Sequence, residues 1–205
     1  DQKKLEGITG VGPKKAEILF KDGYNLDKLK SMFKTNPADL QPILTHHQIL
    51  GVKYYDDLQK RIPYDEISKV NVHINKLLSV VNNRKFTSDQ FQMLICGSYR
   101  RMSPDSGDID VLFYSTKEND AEIDKQFFSV FLNMLITCGF LKDHLTDPYK
   151  VTTKYMGFCK LPRKRVCRRI DMRCIQYKSL PAAMLYFTGS GEFNKNMRTF
   201  ALKKG

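Results

Sequence analysis

Two stretches of this chain alternate charged and apolar residues, and that period of two constrains the fold more than anything else in the sequence. In Asp108-Ile109-Asp110-Val111-Leu112-Phe113 the carboxylates of Asp108 and Asp110 share one face, while Ile109 and Val111 point to the other. In Cys167-Arg168-Arg169-Ile170-Asp171-Met172-Arg173-Cys174, Ile170 and Met172 point inward, and Arg169, Asp171 and Arg173 occupy the opposite face. Such alternation belongs to half-buried strands. The chain must therefore build a sheet with one face on a core and the other left to polar chemistry. A short apolar strand, Met93-Leu94-Ile95, leads into Gly97-Ser98-Tyr99-Arg100-Arg101, just ahead of the first acidic stretch.

Side chains two apart on a strand are rooted about 7 Å from each other, close enough for Asp108 and Asp110 to lean onto divalent cations about 4 Å apart. The Gly97-Ser98 turn offers backbone N–H groups and a hydroxyl to a phosphate, and Arg100 or Arg101 can add a bidentate fork. Each part alone is commonplace: Asp-x-Asp is usually the solvated face of an edge strand, and Gly-Ser is usually a plain turn. Their conjunction points to nucleotidyl transfer. A third acid is needed, and Asp171 is the best candidate. From the residues alone it fits two readings. One is a surface ion-pair ladder of small energetic worth, in which flanking arginines lower its pKa. In the other, Asp171 completes the metal site and orients or deprotonates an attacking hydroxyl, with the arginines holding it when no metal is bound.

The charge balance names a class of partner. The chain has 205 residues, with 34 Lys and Arg against 22 Asp and Glu, for a formal charge of +12, which favours a polyanion. Nucleic acid is preferred to a membrane, because no basic amphipathic helix stands out and no apolar run is long enough to span a bilayer. The cysteines, at 96, 138, 159, 167 and 174, are odd in number and form no Cys-x-x-Cys pair. Neither a zinc site nor a disulfide framework is expected, and a reducing intracellular compartment fits. With Asp1-Gln2-Lys3-Lys4 at its start, the sequence reads as an excised fragment.

Residues 1–63 read as helices around glycine turns. Gly10-Val11-Gly12-Pro13 feeds a helix in which Pro13 suits the first turn. Backbone N–H groups at that helix start can meet a DNA phosphate, with Lys14 and Lys15 as countercharge; the alternative is an ordinary helix-starting turn. His46 and His47 are adjacent and lack the i, i+4 spacing of a helical zinc pair, so they read as structural or phosphate-proximal. Tyr54, Tyr55 and Leu58 read as core. Beyond Pro63, Ile67, Val70, Ile74, Leu77, Leu78 and Val81 recur at three and four, the pattern of an amphipathic helix. A further helix over 120–138 is expected to bury Ile123, Phe127, Phe128, Phe131, Leu132 and Leu135. Helices packed on a small mixed sheet make an α+β unit. Between its strands, Lys160 to Arg169 form a basic hairpin tip for which DNA-backbone contact and simple solvation both remain open. Residues 178–205 read as the start of another helical unit.

Taken together, the Gly97–Arg101, Gly107–Asp110 and Arg169–Arg173 motifs, with Tyr186-Phe187-Thr188-Gly189-Ser190 and Asn194-Lys195-Asn196-Met197-Arg198, resemble in order and spacing the family X DNA polymerases, the family of DNA polymerase beta. Gly7-Ile8-Thr9-Gly10-Val11-Gly12-Pro13, Leu44-Thr45-His46-His47-Gln48 and Arg61-Ile62-Pro63 extend the resemblance over nearly the whole chain. It implies a helix-hairpin-helix DNA-binding subdomain (1–63), a nucleotidyltransferase-type palm (64–177) and the start of a thumb (178–205) that stops short of the family's full length. The activity implied is template-directed addition of deoxynucleotides to a primer 3′-hydroxyl at gaps, as in base excision repair, with pyrophosphate released. No lyase activity is implied, since the family's lysine-rich N-terminal domain is not seen.

The same resemblance implies a residue-by-residue site. Asp108, Asp110 and Asp171 would hold two Mg2+ ions, for which Mn2+ can substitute, and Arg169 and Arg173 would position Asp171. Gly97, Ser98, Arg101 and Gly107 would face the triphosphate, Tyr186, Phe187 and Gly189 the sugar, and Asn194 and Arg198 the base and the template's minor groove. Gly191 departs from the family pattern, which often carries a side chain packed on the base. Gly10, Gly12, Lys14, Lys15 and Arg169 would contact DNA, and the carbonyls of Glu6, Ile8 and Val11 would take Na+ or K+. The partners implied are primer-template or gapped DNA and deoxynucleoside triphosphates, met by a monomer away from membranes, in the nucleus first, with a mitochondrial or viral home as alternatives. Two rivals stay open: an untemplated nucleotidyltransferase, and a catalytically idle module that binds nicks or gaps.

Overall fold

Contacts divide the chain after Lys60 into two units, Asp1–Lys60 and Arg61–Gly205, in a computed structural model that describes residues 1–86, 90–116 and 121–205. The first unit is helical: α1 (Gln2–Glu6), α2 (Pro13–Lys21), α3 (Leu26–Thr35), a 3-10 turn (Pro37–Leu40), α4 (His46–Lys53) and α5 (Tyr55–Leu58). Its core gathers Leu5, Ile8, Leu19, Leu29, Leu40 and Val52. Between α1 and α2 the chain reverses at Gly10, whose φ of +85° suits glycine. Gly12 then caps α2 and Pro13 opens it. Helix α4 starts on a reciprocal capping box of Thr45 and Gln48. Gln48 Nε2 also donates to the Gly10 carbonyl at 2.7 Å, which ties α4 to the hairpin turn. Gly51 permits this approach, because a Cβ there would lie 2.7 Å from the Thr9 carbonyl oxygen.

The second unit runs β1 (Ile62–Pro63), α6 (Tyr64–Lys85), β2 (Phe91–Ile95), α7 (Gly97–Arg100), β3 (Asp105–Ser106), β4 (Ile109–Ser115), α8 (Ala121–Thr137), β5 (Leu141–His144), β6 (Lys154–Cys159), β7 (Arg168–Ile175), α9 (Leu180–Thr188) and α10 (Gly191–Lys204). Ile62 and Pro63 pair with Ser106 and Asp105, and so lie with this unit. Five strands form one sheet in the order β2-β4-β7-β6-β5. Strands β4 and β7 are parallel and every other neighbouring pair is antiparallel. This is the small mixed sheet with helices that the patterning predicts.

One sheet face carries Ile109, Val111, Phe113, Ile170, Met172 and Cys174 into a core with the inward stripe of α6 (Ile67, Val70, Ile74, Leu78, Val81) and the phenylalanines of α8. Phe91 stacks on Phe127 at 3.8 Å between ring centroids, and Phe113 meets Phe131 edge-on at 5.1 Å. Strand β7 alternates buried and half-buried residues without a break.

Three expectations need correction. Ile123 is 36% exposed, while Asp124 is buried in its place. The reason is helical phase: Asp124, Phe128, Phe131 and Leu135 fall along one line at spacings of four, three and four, and Ile123 stands to its side. The proposed start of that helix at Asp120 lies outside the described residues. In β4 the alternation ends at Leu112, which is fully buried on the Asp110 face, where Leu94 and Arg173 are its neighbours across the ladder. Arg168 is not part of a solvent-facing tip. It is buried, forks onto Glu66 at 2.8 and 3.0 Å and so clamps β7 to α6. Among the described residues no helix is long and apolar enough to cross a membrane.

Candidate active site

The parallel register of β4 and β7 sets Asp110 directly beside Asp171. Side chains of aligned neighbouring residues share a face and are separated by the strand spacing of about 4.8 Å. Asp108, immediately before β4, completes the group: one carboxylate oxygen from each of Asp108, Asp110 and Asp171 lies within 4.8 Å of the others. The residues between them, Ile109, Ile170 and Met172, are fully buried on the opposite face, which fixes the orientation of both strands. Gly97 closes on this group with φ +57°, and a Cβ at that position would strike the Asp110 carboxylate. The Cys96 N–H donates to the Asp110 carbonyl at 2.8 Å, holding the glycine turn against β4.

Three acids this close repel. The Asp110 carboxyl is pushed up to about 7, first by burial and then by the charges of Asp108 and Asp171, with Arg169 and Arg101 offsetting only part. Asp171 is also raised, chiefly by burial. This corrects the lowered value expected from its flanking arginines: desolvation of the carboxylate outweighs the pull of Arg169. Arg169 does hold Asp171, donating from Nη2 to Oδ1 at 2.6 Å and from Nη1 to the Gly157 carbonyl at 2.9 Å. The Arg173 guanidinium instead lies over the Phe187 ring, 5.4 Å from its centroid. A half-buried cluster of carboxylates with an excess of negative charge and only oxygen donors suits a hard divalent cation.

Beside the carboxylates opens a cleft of about 320 Å3. Gly97, Ser98, Arg101, Asp108 and Asp110 line one side of it. Tyr186, Phe187, Gly189, Gly191 and Asn194 line the other. The structure thus gathers in one place most of the residues that the motifs singled out. A Cβ on Gly191 would meet nothing within 4 Å, so the cleft is open there. Gly107 precedes Asp108, and a Cβ on it would lie 3.1 Å from Arg61 Nη1. Ser98 hydrogen-bonds Ser106 through its hydroxyl at 2.7 Å.

Thr188 is a site residue that the motifs did not single out. Its carbonyl accepts from Arg101 Nη1 at 2.6 Å and its hydroxyl from Arg100 Nε at 3.0 Å. The signal for it was its place inside Tyr186-Phe187-Thr188-Gly189-Ser190. Asn194 Nδ2 donates to the Tyr186 carbonyl at 2.7 Å, and Asn194 Oδ1 is buried with no partner among the described residues. Arg198 donates to the Tyr186 hydroxyl at 2.9 Å and lies over the same ring. In the first unit the α1–α2 turn exposes Gly10, Gly12 and Lys14 and half-buries Lys15. There the Val11 N–H donates to the Ile8 carbonyl at 2.9 Å, while Glu6 closes α1.

Three family models match successive parts of the chain. Residues 61–177 match the DNA polymerase beta palm, residues 3–59 the fingers domain of DNA polymerase lambda, and residues 183–205 the DNA polymerase beta thumb. DNA polymerase lambda of Rattus norvegicus is 31% identical over 98% of the chain and 33% of its own length. DNA polymerase lambda of Arabidopsis thaliana is 30% identical over 97% of the chain and 36% of its own length. DNA nucleotidylexotransferase of Homo sapiens is 25% identical over 97% of the chain and 42% of its own length. The chain therefore spans from 33% to 42% of the length of these relatives.

Proposed function

Since the chain belongs to the family X DNA polymerases, we propose that it is the core of a template-directed DNA polymerase of the repair type. It adds deoxynucleotides to a primer 3′-hydroxyl at gaps, the chemistry that base excision repair requires. The observation that carries this reading is the meeting of Asp108, Asp110 and Asp171 within 4.8 Å beside a cleft lined by Ser98, Arg101 and Tyr186.

Asp108, Asp110 and Asp171 would hold two magnesium ions, with manganese as a substitute; when bound, these neutralise triphosphate charge and activate the attacking oxygen. The remaining work falls to the chain's own groups. Ser98 and Arg101 take the triphosphate oxygens, Arg101 exchanging the Thr188 carbonyl for phosphate. Tyr186, Phe187 and Gly189 wall the deoxyribose, and the unpartnered Oδ1 of Asn194 is free to accept from the incoming nucleotide. Arg169 keeps the Asp171 carboxylate oriented toward the primer hydroxyl, whose proton it draws. The 3′-oxygen then attacks the α-phosphorus in line and pyrophosphate leaves. The hairpin of α1 and α2 grips DNA phosphate through its backbone, Lys14 and Lys15, with Na+ or K+ on its carbonyls. The substrate places the protein in a DNA-containing compartment, the nucleus first.

The likeness to DNA nucleotidylexotransferase supports a second reading, untemplated addition. Primer extension on a one-nucleotide gap separates the two when run with each deoxynucleotide in turn, beside a single strand without template. Incorporation of only the complementary nucleotide supports the proposal, and extension of the untemplated strand selects the second reading. No incorporation on either substrate, with gapped DNA still bound, refutes both and leaves a binding module.

A further inference from the structure

A trough runs along the outer side of α6, lined by none of the three carboxylates. Helix α6 buries Ile67, Val70 and Ile74 against the core face of the sheet, the face opposite Asp110 and Asp171. Val72 stands about 200° around the helix from Ile74 and is 55% exposed. It lines a cavity of about 700 Å3 whose facing wall is Leu161 and Pro162, from the segment that joins β6 to β7. A second cavity of about 450 Å3 shares Leu161, Pro162, His73 and Lys164 with the first and continues it toward Lys142 and Arg163. The two form one trough with an aliphatic floor.

Its rim is basic. Lys69, Lys76 and Lys164 border the first cavity, and Lys142, Lys160 and Arg163 the second. Asp65, the one acid among these lining residues, is engaged by Lys69 at 2.9 Å. At the junction sits His73, its ring 5.1 Å from that of Phe140. His73 Nε2 is buried without a hydrogen-bond partner among the described residues.

We propose that this trough docks a short acidic segment of a partner protein. One apolar side chain seats on Val72, Leu161 and Pro162, and carboxylates lie along Lys76, Lys164 and Arg163. The charge pattern selects an anion and the aliphatic floor selects a peptide. Single-stranded nucleic acid calls for exposed aromatic platforms, and Tyr64, which lines the first cavity, already stacks on Tyr99 at 4.4 Å. An apolar anchor inside a charged rim is the usual layout of a protein-peptide site.

The test is fluorescence anisotropy of the whole chain with a labelled peptide of about ten residues, Asp and Glu around a central Leu-Phe. A matched peptide with Ser-Ser at the centre and an oligothymidylate serve as controls. Saturable binding of the Leu-Phe peptide is expected, with the Ser-Ser peptide at least about tenfold weaker, as the loss of one anchor predicts. Val72→Glu and Lys76→Glu should each weaken binding about tenfold and leave primer extension unchanged; both positions face solvent, so folding is spared. The proposal is overturned by absence of saturable binding, by equal affinity for the two peptides, or by indifference to Val72→Glu. Oligothymidylate binding that disappears in Val72→Glu would reassign the trough to nucleic acid and overturn it as well.

Discussion

Strands β4 and β7 present two faces built from the same backbone, and the two obey opposite rules. On the core face Ile109, Val111, Ile170 and Met172 are no more than 2% exposed, and each adds about 1.5–3 kcal/mol by burial. On the other face Asp110 and Asp171 sit side by side, half-buried, with carboxyls pushed upward by burial and mutual repulsion. The first face stabilises the fold and the second opposes it. A sheet retains such a face when a ligand absent from the isolated chain relieves it.

Substitutions on the two faces should therefore fail in different ways. The largest effect is expected from Asp171→Ala, which removes a metal-holding carboxylate worth several kcal/mol of transition-state stabilisation, or about 10³-fold in rate. Single-turnover incorporation would measure it, with DNA affinity unchanged; incorporation near the parent rate would erase the functional contrast between the faces. Next comes Ile170→Ala, one residue away, with an expected loss of about 2–5 kcal/mol in urea unfolding and no direct effect on turnover by the folded fraction. A selective loss of turnover there would blur the contrast.

Gly97→Ala should cost about 1–2 kcal/mol through its left-handed backbone and displace the Asp110 carboxylate. It would weaken Mn2+ binding, read by water-proton relaxation, more than it lowers stability. The smallest effect concerns pH. Burial and the neighbouring acids push the Asp110 carboxyl up to about 7 in the folded chain, from an ordinary value of 3.8. Between these values the folded state binds more protons than the unfolded one, so metal-free stability should fall as pH rises across that window. Asp110→Asn should flatten the fall in urea titrations, and a variant as pH-dependent as the parent would contradict the electrostatic account.

Much of this was legible in the residues. The period of two exposed both carboxylate strands, and the threes and fours of Ile67 to Val81 exposed α6, because core-facing residues are chosen for a face. The resemblance supplied Tyr186, Asn194 and Arg198, and the cleft gathers the first two. What stayed hidden depends on distant partners. The pairing of Arg168 with Glu66 joins residues 102 apart in sequence, so a local reading placed Arg168 in the basic hairpin tip. The raised carboxyl of Asp171 reflects burial by neighbouring strands, whereas the sequence displayed only the arginines beside it. Thr188 acts in part through its carbonyl, an atom every residue has. The trough on α6 arises from the return of Leu161 and Pro162 onto a helix nearly a hundred residues earlier, and Val72 alone looked like an ordinary exposed residue.

The most direct test is a magnesium titration of thermal stability, comparing the parent with Asp110→Asn, Asp171→Asn. The account predicts that the metal-free variant melts above the metal-free parent, since two repelling acids are gone. It also predicts that magnesium raises only the parent, by the linkage that binding to the folded state imposes. Equal starting points and equal shifts would mean that the three carboxylates neither strain the fold nor hold a cation.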